Sequence, residues 1–215
     1  MTNEARRPLK VRNIGVAKKT ARLLSKKNIT PNHISIASIF FALLSAFCFF
    51  SFGLINQENQ WWLFLLAAFF IQMRLLCNLF DGMVAIEGGK STKSGELFND
   101  IPDRIADPLI LISAGYAISI VTWGGEIGWA AGLFSVMTAY VRTLSSSIGA
   151  PVNFQGPMAK QHRMAFLTFA CLLSAIESAI WNSEYALLVT LILILIGSIV
   201  TCIRRAISAY QYLET

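Results

Sequence analysis

The chain has 215 residues, of which 55% are hydrophobic and only 14% are charged, whereas an ordinary soluble domain carries roughly 25% charged residues. This composition excludes a typical soluble domain and predicts an integral membrane protein. The formal net charge is +6, but half of the 18 Lys and Arg residues precede Asn28 and most of the others lie in short loops. That distribution favours an anionic lipid bilayer as the partner and not a nucleic acid.

The first segment, residues 1–28, is basic and places apolar residues at three- and four-residue spacing. Ile14, Ala17, Ala21 and Leu24 fall on one helical face, which predicts an amphipathic juxtamembrane helix lying on the membrane surface. A solvated charged tail is the alternative interpretation. The apolar run that follows is long enough to span a membrane, so we expect no cleavable signal peptide.

Residues 29–215 contain six apolar stretches, each close to the ~20 residues that cross a bilayer as a helix. The first begins at Thr30-Pro31-Asn32, a sequence typical of a helix start. We therefore predict one all-α membrane domain of six transmembrane helices. The predicted spans are residues 30–54, 61–86, 97–122, 127–148, 158–181 and 185–203.

The cations in the connections between spans predict the orientation. The loops at Glu58, Gly125 and Ser183 contain no Lys or Arg, whereas cations such as Lys90 and Arg204 join the basic N-terminal segment on the other side. By the positive-inside rule, both termini face the cytoplasm. The same rule places the facing ends of the second and third spans there, and we expect a bacterial inner membrane.

Acidic and amide side chains crowd together at the facing ends of the second and third spans. Helical spacing puts them on the facing sides of the two helices. Clustered carboxylates beside a bilayer are costly unless cations intervene, so the pattern predicts a divalent cation such as Mg²⁺ held by oxygen ligands. In the alternative interpretation, the acids pair with Arg104, Arg74 or Lys93. The clustered side chains are Asn78, Asp81, Asn99, Asp100, Asp103 and Asp107.

A second group of polar residues lies at the start of the fifth span. Lys160 and Arg163 follow Gly156-Pro157 on one helical face. Because the helix dipole disfavours cations at an N-terminus, their presence predicts a bound anion such as a phosphate. Arg142, near the end of the fourth span, is a candidate to join them. The alternative is that these side chains follow the positive-inside rule and snorkel to the interface.

The acidic stretch resembles the signature of the CDP-alcohol phosphatidyltransferase family, D-x2-D-G-x2-A-R-x8-G-x3-D-x3-D. Every spacing is kept, and five of the eight defined positions agree. The departures are Asn at the first and third aspartates and Ile86 at the arginine. Six spans and a juxtamembrane helix also suit the family, so the resemblance covers nearly the full length. The signature falls on Asn78, Asp81, Gly82, Ala85, Ile86, Gly95, Asn99 and Asp103.

The resemblance implies transfer of a phosphatidyl or phosphoalcohol group from a CDP-linked donor, such as CDP-diacylglycerol, to the hydroxyl of a polar alcohol, with release of CMP. It implies two divalent ions, Mg²⁺ or Mn²⁺, and Asp103 as the base that takes the acceptor's proton. A homodimer is expected from the family alone. The residues expected to contact the substrates are Pro31, Asn32, Gly82, Ala85, Thr92, Gly95, Arg142, Lys160 and Arg163.

The two amides remove negative charge that the signature would supply. Asp100 and Asp107, which the signature does not require, lie on the same side of the third span as Asp103 and could restore it. We therefore hypothesise a rearranged metal site in which the amides supply neutral oxygens or hold substrate. The hypothesised ligands are Asp81, Asp100, Asp103 and Asp107, with Asn78 and Asn99.

Two other functions are compatible with the sequence. A catalytically degenerate relative would bind lipid or nucleotide without turnover, and the two amides favour this reading. A cation transporter would be expected to place its carboxylates near the bilayer midplane, whereas Asp81 lies a few residues from a loop. If the protein is a transferase, Lys160, Arg163 and Arg142 favour a phosphorylated or otherwise anionic acceptor.

Overall fold

A computed structural model describes residues 15–26, 30–54, 60–87 and 95–214. Seven helices account for nearly all of these residues, which confirms the predicted all-α class. The helices are α1 (Gly15–Lys26), α2 (Pro31–Leu54), α3 (Trp62–Glu87), α4 (Gly95–Tyr116), α5 (Gly124–Ser147), α6 (Lys160–Trp181) and α7 (Tyr185–Leu213).

Helices α2 to α7 form a closed ring. Each helix packs on two neighbours, in the order α2, α4, α5, α7, α6, α3 and back to α2. Much of the interior is apolar and includes Phe49, Phe52 and Phe64. On the outside, Phe47 and Phe69 are among many large apolar side chains that are more than half exposed. Helices that are apolar on both their inner and outer faces suit a lipid environment.

Four of the described helices are long and apolar enough to cross a membrane: α2, α3, α6 and α7. The chain is therefore an integral membrane protein by the length and composition of these helices. The predicted count of six spans is not confirmed by this measure. Helix α4 carries Asp100, Asp103, Arg104 and Asp107, and α5 is rich in small residues, including Gly128, so both are less apolar than the other four.

Helix α4 ends earlier than predicted, at Tyr116 instead of Thr122. The backbones of α4 and α5 come close at this end: a Cβ added at Gly115 would lie 2.6 Å from the carbonyl oxygen of Gly124 and 2.8 Å from the Cα of Gly128. Only glycine fits there, so α4 and α5 touch at this point and the chain turns between them.

Helix α7 continues to Leu213, beyond its predicted end at Ile203. Arg205 is buried, and its guanidinium donates hydrogen bonds to the carbonyl oxygens of Gln155 (2.9 Å) and Thr138 (2.6 Å). Arg204 and Arg205 end the apolar run without ending the helix, because Arg204 is exposed and the guanidinium of Arg205 has hydrogen-bond acceptors inside the fold.

Helix α1 covers the described part of the predicted amphipathic segment. Ala21 is fully buried in a small cluster with Ile34, Met83 and Val84, so α1 packs its apolar face on α3. Arg22 is exposed. The helix is confirmed over residues 15–26, and its position on a membrane surface stays a prediction.

Candidate active site

The signature residues meet where the C-terminal end of α3 lies beside the N-terminal ends of α4 and α6. Helix α3 contributes Asp81, α4 contributes Asp103, and α6 contributes Lys160. Because antiparallel neighbours alternate direction, residues far apart in the chain arrive at one end of the bundle. The two aspartates that the signature retains are both nearly buried there, with 3% and 6% of their surfaces exposed.

Asp103 is held by three donors. Its Oδ1 accepts hydrogen bonds from Nη2 of Arg74 (3.0 Å) and Nδ2 of Asn78 (3.1 Å), and its Oδ2 contacts the ammonium of Lys160. Arg74 and Asn78 come from α3 and fix the orientation of the carboxylate. Lys160 is the partly exposed partner, with a long side chain that has several rotatable bonds.

Asp81 is tied to the start of α2. Its Oδ2 accepts a hydrogen bond from the hydroxyl of Ser35 (2.8 Å), and its Oδ1 contacts the backbone N–H of Gly82. Ser35 lies one helical turn after Pro31, so the segment predicted to contact the donor is anchored to a signature aspartate. Sequence reasoning missed Ser35, although its spacing from Pro31 places it on the same face.

Asp107 lies deeper and pairs with two buried arginines. Its Oδ1 is 2.6 Å from Nη2 of Arg74, and its Oδ2 is 2.8 Å from Nη2 of Arg163. Asp107 and both arginines are at most 1% exposed. The structure thus shows two guanidinium partners for Asp107, which was predicted to be a metal ligand. Buried charges of this kind persist because each is paired.

Arg163 differs from its predicted role as a substrate contact. Besides Asp107, its Nη1 donates hydrogen bonds to Oγ1 of Thr138 (3.2 Å) and to the carbonyl oxygen of Met158 (2.8 Å). These partners hold the guanidinium in the interior. Of the two cations that begin α6, Lys160 therefore points into the site and Arg163 secures the fold around it.

Asp100 lies at the rim of the site. Its Oδ1 accepts hydrogen bonds from Nη2 of Arg104 (2.8 Å) and Nη2 of Arg142 (3.1 Å). Arg142 also lies over the ring of Phe154, 5.5 Å from its centroid, a cation–π geometry. Asp100, predicted as a metal ligand, is thus engaged by two guanidiniums. The pairing of the α4 acids with arginines is what the alternative interpretation proposed.

The remaining predicted residues, where the structure describes them, lie on α2, α3 and α4 near this centre's end of the bundle. They share a half-buried position at the same end of the bundle. Thr92 lies outside the described residues, and Asn99 lies on α4 with a side chain that is likewise outside the described part. The half-buried residues are Pro31, Asn32, Asn78, Gly82, Ala85 and Gly95.

Arg74 is the residue that sequence reasoning undervalued. It is fully buried, and its Nη2 contacts both Asp103 and Asp107. The sequence carried a signal, because Arg74 precedes Asn78 by four residues and Asp81 by seven, which is the spacing of one helical face. An arginine within an apolar span is a functional candidate by default.

The oxygen donors of Asp81, Asp103 and Asn78 are of the type that Mg²⁺ and Mn²⁺ prefer. Among the described residues, however, no group of three or more His, Cys, Asp or Glu side chains is arranged to hold a metal ion. The donor chemistry therefore fits a divalent cation, and the described carboxylates are too few to hold one without further ligands.

Comparison with known proteins decides the family. A sequence model of the family described as CDP-alcohol phosphatidyltransferase matches residues 28–208. The chain belongs to this family. The resemblance that the signature suggested is confirmed, and with it membership of a group of phospholipid-synthesis transferases.

Two relatives are similar in sequence. The inner membrane protein YnbA of Escherichia coli (strain K12) is 27% identical over 146 residues, which are 65% of this chain and 65% of YnbA; the chain thus spans just under two thirds of that relative. The archaetidylinositol phosphate synthase of Pyrococcus horikoshii is 25% identical over 194 residues, 90% of each chain.

Solved structures of phosphatidylinositol phosphate synthase (PgsA1) from Mycobacterium tuberculosis share the fold. The complex with manganese and citrate superposes with a TM-score of 0.75 at 19% identity, covering 90% of this chain and 88% of that one. The form with CDP-DAG bound gives 0.74 at 18% identity, covering 92% and 94%. At these identities the likeness establishes the fold alone.

Proposed function

We propose that this protein is a metal-dependent transferase that moves a phosphatidyl or phosphoalcohol group from a CDP-linked donor, such as CDP-diacylglycerol, to an alcohol hydroxyl, releasing CMP. The observation that carries the proposal is the meeting of Asp81 and Asp103 beside Lys160, in a chain that belongs to this family. The PgsA1 structures, with their manganese and CDP-DAG, support the choice of metal and donor.

Asp103 is the proposed base. Arg74 and Asn78 fix its Oδ1, so Oδ2 becomes the proton acceptor once Lys160 moves aside. The acceptor's hydroxyl oxygen forms a bond to the phosphorus of the transferred group while the bond to the CMP oxygen breaks, and the hydroxyl proton passes to Oδ2. A positioned base of this kind typically contributes about 10²- to 10⁴-fold to the rate.

The proposed metal ligands are Asp81, Asp103, Asn78 and Asn99. Asp100 and Asp107 are omitted, because each is already engaged by two arginines. When bound, divalent ions would neutralise negative charge on the diphosphate and on the departing CMP. The donor's nucleotide and diphosphate are proposed to contact residues from several parts of the chain: Pro31, Asn32, Gly82, Ala85, Thr92 and Gly95.

The acceptor is proposed to be a phosphorylated or otherwise anionic alcohol. Lys160 is partly exposed beside Asp103, and Arg142 is partly exposed at the rim. Both can change partners when an anion arrives, since charge-assisted bonds from Arg and Lys to phosphate are strong. Two of the similar proteins are inositol phosphate synthases by name, which supports this acceptor class.

The membrane arrangement is part of the proposal. We infer that α4 and α5 complete six spans, because they occupy two positions in a closed ring whose other members are α2, α3, α6 and α7. Both termini and the site are assigned to the cytoplasmic side of a bacterial inner membrane by the loop charges. A homodimer is proposed from the family.

A degenerate lipid- or nucleotide-binding protein is the second candidate. It is favoured by the two signature amides and by the arginine or lysine partners of Asp100, Asp103 and Asp107. In that case, the site would hold a CDP-linked ligand without the charge needed for turnover.

The deciding experiment is CMP release by the purified protein with CDP-diacylglycerol, Mg²⁺ or Mn²⁺, and a panel of alcohols with and without a phosphate group. We expect metal-dependent release with at least one acceptor, preferentially a phosphorylated one. The matched control is Asp103→Asn under the same conditions. Silence across the panel, with binding of the donor retained, would favour the second candidate.

A further inference from the structure

The buried part of the site is already balanced in charge. Among the described residues, three acidic side chains meet three basic ones, all joined by ion pairs or by electrostatic interaction across the cluster. Two amides stand where the signature has acids. A divalent cation added alone would therefore leave a net charge of about +2 in a low-dielectric interior, which is unfavourable. The six side chains are Asp81, Asp103, Asp107, Arg74, Lys160 and Arg163.

The guanidinium of Arg74 is a positive charge that stays in the site. Its side chain is fully buried, and its Nη2 is 3.0 Å from Asp103 and 2.6 Å from Asp107. Its Nε and Nη1 have no hydrogen-bond partner among the described residues, and its charge is paired through Nη2 with the two carboxylates. It cannot withdraw to solvent, and it repels any cation that approaches Asp103.

Lys160 competes directly with a cation. Its ammonium contacts Oδ2 of Asp103 and interacts electrostatically with Asp81. Both carboxylates are proposed metal ligands, so a divalent ion must displace the ammonium. A quarter of the Lys160 side chain is exposed, which leaves it free to turn towards an incoming anion.

We propose that a divalent cation enters this site only together with the diphosphate of a CDP-linked ligand. This inference rests on the proposed function and concerns the order of binding. The diphosphate brings the negative charge that the two amides lack, and one of its oxygens offers Lys160 a new partner. By thermodynamic reciprocity, the cation must then raise the affinity for the nucleotide by the same factor.

The test measures Mn²⁺ binding to the full-length protein in detergent micelles by electron paramagnetic resonance, with and without CDP. A protein-free titration of Mn²⁺ with CDP corrects for their own complex. We expect CDP to raise the apparent Mn²⁺ affinity about 5- to 150-fold, the usual range of coupling between sites. Calorimetry should show an equal gain in CDP affinity on adding Mn²⁺. Equal Mn²⁺ affinity with and without CDP would overturn the inference.

Asn78→Asp probes the cause of this dependence. It adds one negative charge beside Asp103 and leaves every cation in place, so it should permit Mn²⁺ binding without CDP. Arg74→Gln should act in the same direction by removing the buried positive charge. Asn182→Asp is the matched control, because this exposed residue lies at the other end of the bundle and tolerates Asp at its left-handed φ of 54°. An unchanged CDP requirement in Asn78→Asp would contradict the charge-balance explanation.

The outcomes separate this inference from the function on which it rests. If the wild type binds CDP and also binds Mn²⁺ equally well alone, only the order of binding is wrong. If it binds no CDP even with Mn²⁺ present, the proposed function fails together with the inference.

Discussion

The two ends of the bundle both bury acidic side chains, with different partners. At the signature end, Asp103 and Asp107 are paired with Arg74 and other cations. At the other end, Glu184 is fully buried before α7, and its Oε2 accepts hydrogen bonds from the backbone N–H (3.2 Å) and hydroxyl (3.0 Å) of Ser119. Burial raises the pKa of Glu184, although the hydrogen bonds from Ser119 act in the opposite direction.

The partners indicate what each end does. Glu184 joins the α4–α5 connection to the start of α7, and Glu177 accepts hydrogen bonds from the backbone N–H groups of Tyr185 (3.0 Å) and Ala186 (2.9 Å). Negative charge at a helix N-terminus is stabilising, so Glu177 supports the start of α7, and Glu184 holds the fold through its hydrogen bonds to Ser119. The signature end gathers buried and partly exposed cations around its acids, an arrangement that can exchange partners with an anionic substrate.

The largest effect is expected for the buried pair of Asp107 and Arg163. Asp107→Asn or Arg163→Gln leaves a buried charge with fewer partners, and we expect a loss of about 3–5 kcal/mol in the free energy of unfolding. Denaturant unfolding in detergent measures it. The double variant should lose less than the sum of the two single variants, because the charges are coupled. Single-variant losses below about 1 kcal/mol would show that this end is not held by the pair.

Asp81→Asn is expected to abolish catalysis with little effect on folding. The amide retains an oxygen for the Ser35 hydroxyl, while the negative charge is lost. We expect CMP release to fall by at least ~10²-fold, the usual cost of losing a catalytic group. Thermal unfolding in detergent serves as the control for folding. Retention of more than about a tenth of wild-type turnover would remove Asp81 from the site.

Lys160→Ala should have an intermediate effect on the transferase reaction. A charge-assisted hydrogen bond contributes about 1.5–3 kcal/mol, so kcat/KM should fall roughly ten- to a hundredfold. The loss should be greater for a phosphorylated acceptor than for an uncharged one, which a pair of acceptors compared in the CMP assay will show. Equal kinetics in wild type and variant would mean that Lys160 only sets topology.

Glu184→Gln should have the smallest effect. Because the folded-state pKa of Glu184 is raised above the ordinary value of 4.5, the folded protein binds more protons than the unfolded chain. The contribution of Glu184 to stability is thus present below that value and is lost as the pH rises through the folded pKa. The free energy of unfolding of the variant minus that of the wild type should therefore be larger at neutral pH than at acidic pH. An unchanged difference between the two pH values would contradict this.

The sequence predicted the parts of the site that follow from local spacing. Asn78 and Asp81 share a face of α3 because they are three residues apart, and Asp103 follows on α4 at the signature spacing. Spacing also puts Arg74 on this face, but its partners Asp103 and Asp107 were not predictable in this way, because these contacts join α3 to α4 and depend on how the two helices pack. Lys160 and Arg163 had been grouped by spacing, yet α6 turns one towards the site and the other towards Asp107.

Helix ends show the same limit. Thr30-Pro31-Asn32 marked the start of α2 through local backbone chemistry, and the structure begins the helix at Pro31. The end of α4 coincides with the contact of Gly115 with Gly124, which lies in another helix. An apolar sequence that continues past this contact gives no local sign that the helix stops.

The central claim is that chemistry occurs at the cation-paired end and that the other end is structural. The most direct measurement compares CMP release from CDP-diacylglycerol by the wild type, Asp103→Asn and Glu184→Gln under one set of metal and acceptor conditions. The account predicts a fall of at least ~10²-fold for Asp103→Asn and a rate within about twofold of wild type for Glu184→Gln, whose substitution preserves shape. Equal losses in both variants, or full activity in Asp103→Asn, would contradict it.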